Sequence, residues 1–91
     1  MEKDKYWIVY ILRCNDGTLY TGITDHMEKR LKMHNAGTGA KYTRGRGPLE
    51  LQYTEICPDK SAALRREIAI KRLSKSKKLQ LIAAYENTHK D

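Results

Sequence analysis

The sequence predicts an α+β domain of three strands and three helices, in the order strand, strand, helix, strand, helix, helix. Three observations predict it. A β-branched and aromatic run from Tyr6 to Cys14 stops at Asn15-Asp16-Gly17, a strong turn signal, and a second strand-like run returns over Thr18 to Thr24. Met27 and Leu31 then form an apolar stripe at the i, i+4 spacing of a helix. Ninety-one residues, 40% of them hydrophobic, suffice for one modest core and no more.

The elements follow in order. Tyr6 to Cys14 is apolar on both alternating sets, so it reads as an inner strand covered on both faces. Asp25 is placed to cap the first helix, with Glu28 three residues on as a capping-box partner. That helix should run to about Asn35, with Gly37 ending it. Ala36 to Pro48 holds four glycines with Lys41, Arg44 and Arg46, and reads as a mobile basic loop. Leu49 to Cys57 alternates well enough for the third strand. Pro58-Asp59 opens a helix through about Leu73, and Ser74 or Ser76 caps a last helix to about Glu86. With no internal repeat and no linker, residues 1–91 are expected to form one domain, with a core over about 6–86 and a frayed tail over 87–91.

The register of the hairpin decides whether Tyr10 and Tyr20 can cooperate, because a one-residue slip turns every side chain to the other face. A two-residue Asp16-Gly17 loop would set Arg13 opposite Tyr20 and part the two tyrosines. A three-residue loop sets Leu12 opposite Tyr20 and Gly22 opposite Tyr10. It needs positive φ at its last position, which Gly17 supplies. The three-residue loop is the expected one. Both tyrosines then share a face, and Gly22 leaves space beside Tyr10. The alternative is that both are ordinary strand residues.

On the first helix Arg30 and His34, also i, i+4, flank the Met27/Leu31 stripe, while Lys29 and Lys32 point away. The pair is expected at the rim where helix meets sheet, in a structural or a functional capacity. On the second helix Leu64, Glu67, Ile68 and Lys71 follow the spacing of a buried face, with Glu67 embedded in it. A carboxylate there needs a partner. Lys71 at i+4 is one candidate. A divalent metal is the other, since Mg²⁺ keeps its waters and is often held by one or two carboxylates plus substrate phosphate.

Eighteen Lys and Arg against 11 Asp and Glu give a net charge of +7 and a pI near 9.5. That balance suits a polyanionic partner, most often nucleic acid, and equally a generic basic surface. No apolar run approaches the roughly 20 residues of a membrane helix. The stretch Met1-Glu2-Lys3-Asp4-Lys5 leads into a strand without a signal-peptide core, so a cytoplasmic location and no membrane partner are expected. Cys14 and Cys57 lack metal-ligand spacing and are expected to be buried, reduced thiols.

The ordered set Ile8-Val9-Tyr10, Tyr20-Thr21-Gly22, Arg30, His34 and Glu67 resembles the GIY-YIG nuclease superfamily. Tyr20-Thr-Gly-Ile-Thr, His34-Asn-Ala-Gly, Gly39-Ala-Lys-Tyr-Thr-Arg-Gly and Ala62-Ala-Leu-Arg-Arg-Glu resemble its small stand-alone bacterial group, UPF0213 or YhbQ-like. The resemblance spans about Tyr6 to Ile82. Ile8 departs from it by replacing the first motif glycine, and Thr21 by replacing an apolar residue. The asparagine that larger members carry after the metal helix has no counterpart near Ile82.

The resemblance implies a three-stranded antiparallel sheet flanked by about three helices, and metal-dependent hydrolysis of phosphodiesters. It assigns Tyr10 and Tyr20 to the motif tyrosines, Arg30 to the phosphate, His34 to the helix position held by His or Tyr, and Glu67 to Mg²⁺ or Mn²⁺. Tyr10 is then expected as general base, its pKa lowered from about 10 by Arg30 or the metal, with Tyr20 and His34 as positioners. His34 itself is the other candidate base. Lys41, Tyr42, Arg44 and Arg46 are expected to grip nucleic acid, DNA before RNA, by phosphate contact and base stacking. No organic cofactor is expected, and the chain is expected to be a monomer. A non-catalytic nucleic-acid binding module, or a subunit lending its groove to a larger repair or recombination assembly, is the alternative function.

Overall fold

A computed structural model describes residues 6–40 and 42–88. The chain runs β1 (Trp7–Arg13), β2 (Leu19–Thr24), α1 (Met27–Asn35), β3 (Glu50–Cys57), α2 (Lys60–Lys71) and α3 (Lys75–Thr88). The strands form one antiparallel sheet in the order β2-β1-β3. The apolar first strand is therefore the central one, as its two-sided hydrophobicity requires.

Alternation along β1 divides the core in two. Val9 and Ile11 point to one face, where Tyr53, Cys57, Ala63, Ile70 and Ile82 close over them. Tyr10, Leu12 and Cys14 point to the other and meet Leu49, with Met27 and Leu31 of α1 packed against them. Helices α2 and α3 thus cover one face and α1 the other. Both cysteines are free and buried.

The β1–β2 turn has the three-residue form. The Cys14 and Thr18 backbones pair across it at 2.8 Å, Gly17 N–H donates to Cys14 O at 2.9 Å, and Gly17 has φ +86°. Leu12 lies opposite Tyr20 and Tyr10 opposite Gly22.

Four sequence expectations are corrected. The cap of α1 is His26, whose Nδ1 accepts from Lys29 N–H at 3.3 Å, and not Asp25 with Glu28. Thr24 Oγ1 holds the His26 N–H at 3.1 Å, which carries the turn one residue further before the helix starts. On α2 the face toward the sheet is Ala63 and Ile70, with Glu67 half-buried. Leu64 and Ile68 are 41% and 51% exposed. Ala63 and Ile70 lie on the stripe that meets the core, and the bulkier Leu64 and Ile68 lie beside it. The helix opens after Pro58-Asp59 as expected, with Asp59 capping it through Ala62 N–H at 2.8 Å. The last helix continues to Thr88, two residues past its expected end; residues 89–91 lie outside the described ones.

The fourth correction concerns the segment from Ala36 to Pro48, which is tied down at several points. Asn35 brackets it by bonding both Leu49 backbone groups, accepting from N–H at 2.9 Å and donating to the carbonyl at 3.4 Å. Arg46 pairs with Asp16 in the hairpin turn, and Arg46 O accepts from Asn15 N–H at 2.7 Å. Thr43, in the middle, is buried. The expected role of Lys41 lies outside the described residues.

The hairpin register rests on a left-handed residue at 17. Gly17→Ala is expected to destabilise the fold by about 1–2 kcal/mol, the usual cost of that conformation for a residue with Cβ. Nothing lies within 4 Å of the added methyl, so urea denaturation would report backbone strain without a clash. Unchanged stability would mean the turn is not held in this form.

Candidate active site

Tyr10 and Tyr20 meet on the α1 side of the sheet as diagonal neighbours, ring centroids 6.3 Å apart. They can do so because Gly22 lacks a side chain. A Cβ there would stand 2.6 Å from Tyr10 Oη and 3.0 Å from a Tyr20 ring carbon. His34 reaches over from α1 and stands edge-on to both, at centroid distances of 5.8 and 5.3 Å. Its Nε2 is 2.9 Å from Tyr10 Oη, and its Nδ1 is 2.8 Å from Thr43 Oγ1. His34 is 1% exposed, a core residue and not the rim residue its flanking position suggested. Thr43, unremarked as a single residue in the sequence, is the member of the cluster that sequence reasoning missed. Its one signal was its place inside the Gly39-to-Gly45 motif.

Arg30 comes from the same helix one turn earlier and lies beside the Tyr10 hydroxyl. Its Nε is buried and has no hydrogen-bond partner among the described residues. A buried guanidinium N–H without an acceptor is costly, and a phosphate oxygen is an acceptor that suits it.

The acid–base properties differ from the sequence expectation. Tyr10 is fully buried, and burial raises its pKa above 10.0; the Arg30 guanidinium pulls the other way and does not prevail. Tyr10 is therefore a phenol at neutral pH and not the lowered-pKa base expected. His34 is pushed below 6.5, first by burial and then by the positive charge of Arg30, so its ring is neutral at pH 7.

Glu67 arrives from α2, which packs across the sheet, and acts electrostatically on Tyr10. Its carboxylate, 16% exposed, pairs with Lys71 Nζ at 3.3 Å. Among the described residues no three His, Cys, Asp or Glu gather as a metal cage. A single shielded carboxylate fits a hydrated Mg²⁺ or Mn²⁺ that takes its remaining ligands from water and substrate phosphate. Lys71 would have to release Glu67 for that.

The basic loop borders the site through Tyr42, which stacks on Tyr20 at 5.7 Å and carries the Arg46 guanidinium over its ring at 4.7 Å. Tyr20, Thr21, Tyr42, Lys71 and Lys78 line an adjoining cavity of about 280 Å³. Of the loop residues expected to grip phosphate, Arg44 is exposed, whereas Arg46 is already engaged by Asp16 and Tyr42.

Residues 6–80, which carry this sheet and site, match the model of the GIY-YIG catalytic domain. The chain belongs to the GIY-YIG family, a nuclease-type fold. Within that family it falls in the UPF0213 group. It is 57% identical over 76 residues to a UPF0213 protein of Clostridium perfringens, covering 84% of this chain and 82% of that one. A UPF0213 protein of Natronomonas pharaonis is 55% identical over 83 residues, covering 91% and 95%. The solution NMR structure of a UPF0213 protein from Bacillus halodurans superposes with a TM-score of 0.58 at 49% identity, covering 93% of this chain and 95% of that one. That of an E. faecalis protein gives 0.64 at 39% identity, covering 100% and 97%. No helix among the described residues is long and apolar enough to cross a membrane.

The lowered His34 pKa has a consequence for stability. As pH falls through 6.5 the unfolded chain takes up a proton that the buried ring resists. Stability is therefore complete above 6.5 and declines below it. Urea denaturation across that window should show the decline, and His34→Gln should flatten it. An equal slope in both chains would place the titrating group elsewhere.

Proposed function

We propose that the protein is a metal-dependent endonuclease that hydrolyses nucleic-acid phosphodiesters, DNA before RNA, in DNA repair or processing. The observation that carries this reading is the Tyr10–His34 hydrogen bond beside an arginine whose Nε lacks an acceptor among the described residues.

The residues divide the chemistry as follows. Arg30 receives the scissile phosphate and offsets the negative charge that grows on it in the transition state. The attacking water gives a proton to Tyr10 Oη while Tyr10 passes its own to His34 Nε2. The water oxygen bonds to phosphorus, the bond to the leaving sugar oxygen breaks, and that oxygen takes a proton from solvent. His34 afterwards returns its proton to Tyr10 Oη, which releases one to solvent water, so both groups regain their neutral state. Tyr20 holds the imidazole edge-on and carries Tyr42. Glu67 would hold the divalent ion, which when bound polarises the phosphate and steadies the leaving oxygen. Arg44 at the rim and Lys71 and Lys78 in the adjoining cavity supply charge for flanking phosphates.

The second reading is a nucleic-acid binding module without cleavage. The observation in its favour is the Glu67–Lys71 ion pair, which already occupies the carboxylate a metal would use. Assay of the purified chain on a panel of structured DNA and RNA, with Mg²⁺ and Mn²⁺, separates the two.

In the enzyme reading Glu67→Ala abolishes metal-dependent cleavage and leaves the fold intact. Arg30→Ala loses roughly 10²–10³-fold in rate, by analogy with one lost oxyanion donor. Tyr10→Phe keeps the ring and stops the relay. Cleavage by Glu67→Ala equal to that of the parent would remove the metal assignment. A parent that cuts nothing on the panel would hand the site to the binding module.

Binding itself should be strongly salt-dependent. Arg44→Ala should flatten log affinity against log salt by about one unit. Arg46→Ala should instead lower stability, because its guanidinium serves the fold. A flattening confined to Arg46→Ala would reverse these roles.

A further inference from the structure

We infer that Thr43 is a positioning residue: its hydroxyl, committed to the Ala40 carbonyl, fixes the buried His34 ring as the Nδ1–H tautomer and leaves Nε2 to accept the Tyr10 proton. Thr43 Oγ1 lies 3.0 Å from Ala40 O and 2.8 Å from His34 Nδ1. Without a proton between them two acceptor oxygens would repel at that distance, so the hydroxyl proton points to Ala40 O, which also accepts the Thr43 N–H at 3.2 Å. Toward His34 the threonine oxygen can then only accept. A neutral imidazole carries one N–H, so that proton sits on Nδ1 and Nε2 holds a lone pair. At 2.9 Å from Nε2, Tyr10 O–H is the donor.

The opposite tautomer reverses both His34 hydrogen bonds and has two costs: the Tyr10 proton loses its acceptor, and Ala40 O is left with the Thr43 N–H alone. Nε2–H would turn the Tyr10 proton away, toward Arg30, which offers only donors. Nδ1 would need the threonine proton, and the Ala40 carbonyl would lose it. His34 and Thr43 are each 1% exposed, so water is poorly placed to repair any of these losses.

Gly39 makes the arrangement possible. A Cβ there would stand 2.6 Å from His34 Nδ1 and 2.8 Å from His34 Cα. The loop can lie directly on the ring only because residue 39 has no side chain. The segment that carries exposed Arg44 thus also sets the proton-accepting nitrogen of the site. The tautomer stands on the hydrogen bonds alone; its effect on rate rests on the phosphodiesterase reading.

The test is ¹⁵N-histidine NMR of the full chain, at a pH where the ring is neutral, joined to cleavage rates. The wild-type His34 signal is expected to be that of Nδ1–H. Thr43→Val, nearly the same shape without a hydroxyl, should move it toward Nε2–H and lower kcat by about 10–100-fold, by analogy with losing the partner that orients a metal-ligating histidine. Thr43→Ser should restore both. Where Thr43→Val does not fold, Thr43→Ala removes the hydroxyl without bulk and gives the same reading. An Nε2–H signal in the wild type, or an unmoved signal in the Val or Ala chain, overturns the inference. If the signal moves as expected but the parent cleaves nothing, the tautomer assignment stands and the nuclease reading falls.

Discussion

The buried hydrogen bond between Tyr10 and His34 is the constraint around which the rest of this small domain is arranged. Polar groups inside an apolar core destabilise it unless each donor and acceptor is met. Here the chain Tyr10–His34–Thr43–Ala40 meets those of the tyrosine, the imidazole and the threonine, from β1 through α1 to the loop. Two glycines make room for it, Gly22 beside the tyrosine and Gly39 beside the imidazole. The Asn35 clamp on Leu49 and the Arg46 contact with Asp16 keep the loop where Thr43 can reach. A loop with four glycines would otherwise lose much entropy on closing, so these anchors are what let an irregular segment carry a member of a buried network.

How far the sequence made this legible depends on the range of the interaction. The hairpin register was readable because it is local: Asn15-Asp16-Gly17 admits few geometries, and Gly17 selects among them. The tyrosines followed from the register. The α1 stripe of Met27 and Leu31 was readable for the same reason, as was the opening of α2 at Pro58-Asp59. The α2 face was not. Apolar spacing picked Leu64 and Ile68, while the stripe that meets the core carries Ala63 and Ile70. Hydropathy ranks side chains by transfer from water and is silent on which stripe of a helix meets the core. Thr43 was hidden by range: its partner is nine positions away, across a segment whose composition resembles an ordinary basic loop.

The proton inventory of the site could be guessed only in part. From Arg30 alone, Tyr10 should be acidified. Burial outweighs that attraction, because removing water penalises a phenolate more than one partly buried guanidinium rewards it. The same two causes act on His34 in the same sense, burial and Arg30 both opposing the cation. Burial thus keeps both groups neutral, a phenol donating to an imidazole. That is the state from which a proton can be passed without first separating charge.

The resting site is unsatisfied in a consistent direction. Arg30 holds a buried Nε–H without an acceptor among the described residues, and its charge disfavours protonation of His34. A phosphate against Arg30 would answer both. It would accept the idle N–H, and its negative charge would offset the guanidinium that holds the His34 pKa down. His34 would then become a better proton acceptor when substrate is present than when it is absent. Tyr10 could surrender its proton at that moment and not before, since without the anion the imidazolium faces an uncompensated arginine in a buried pocket. On the proposed reading, the arginine that binds the phosphate is thus also what holds the proton relay back in its absence.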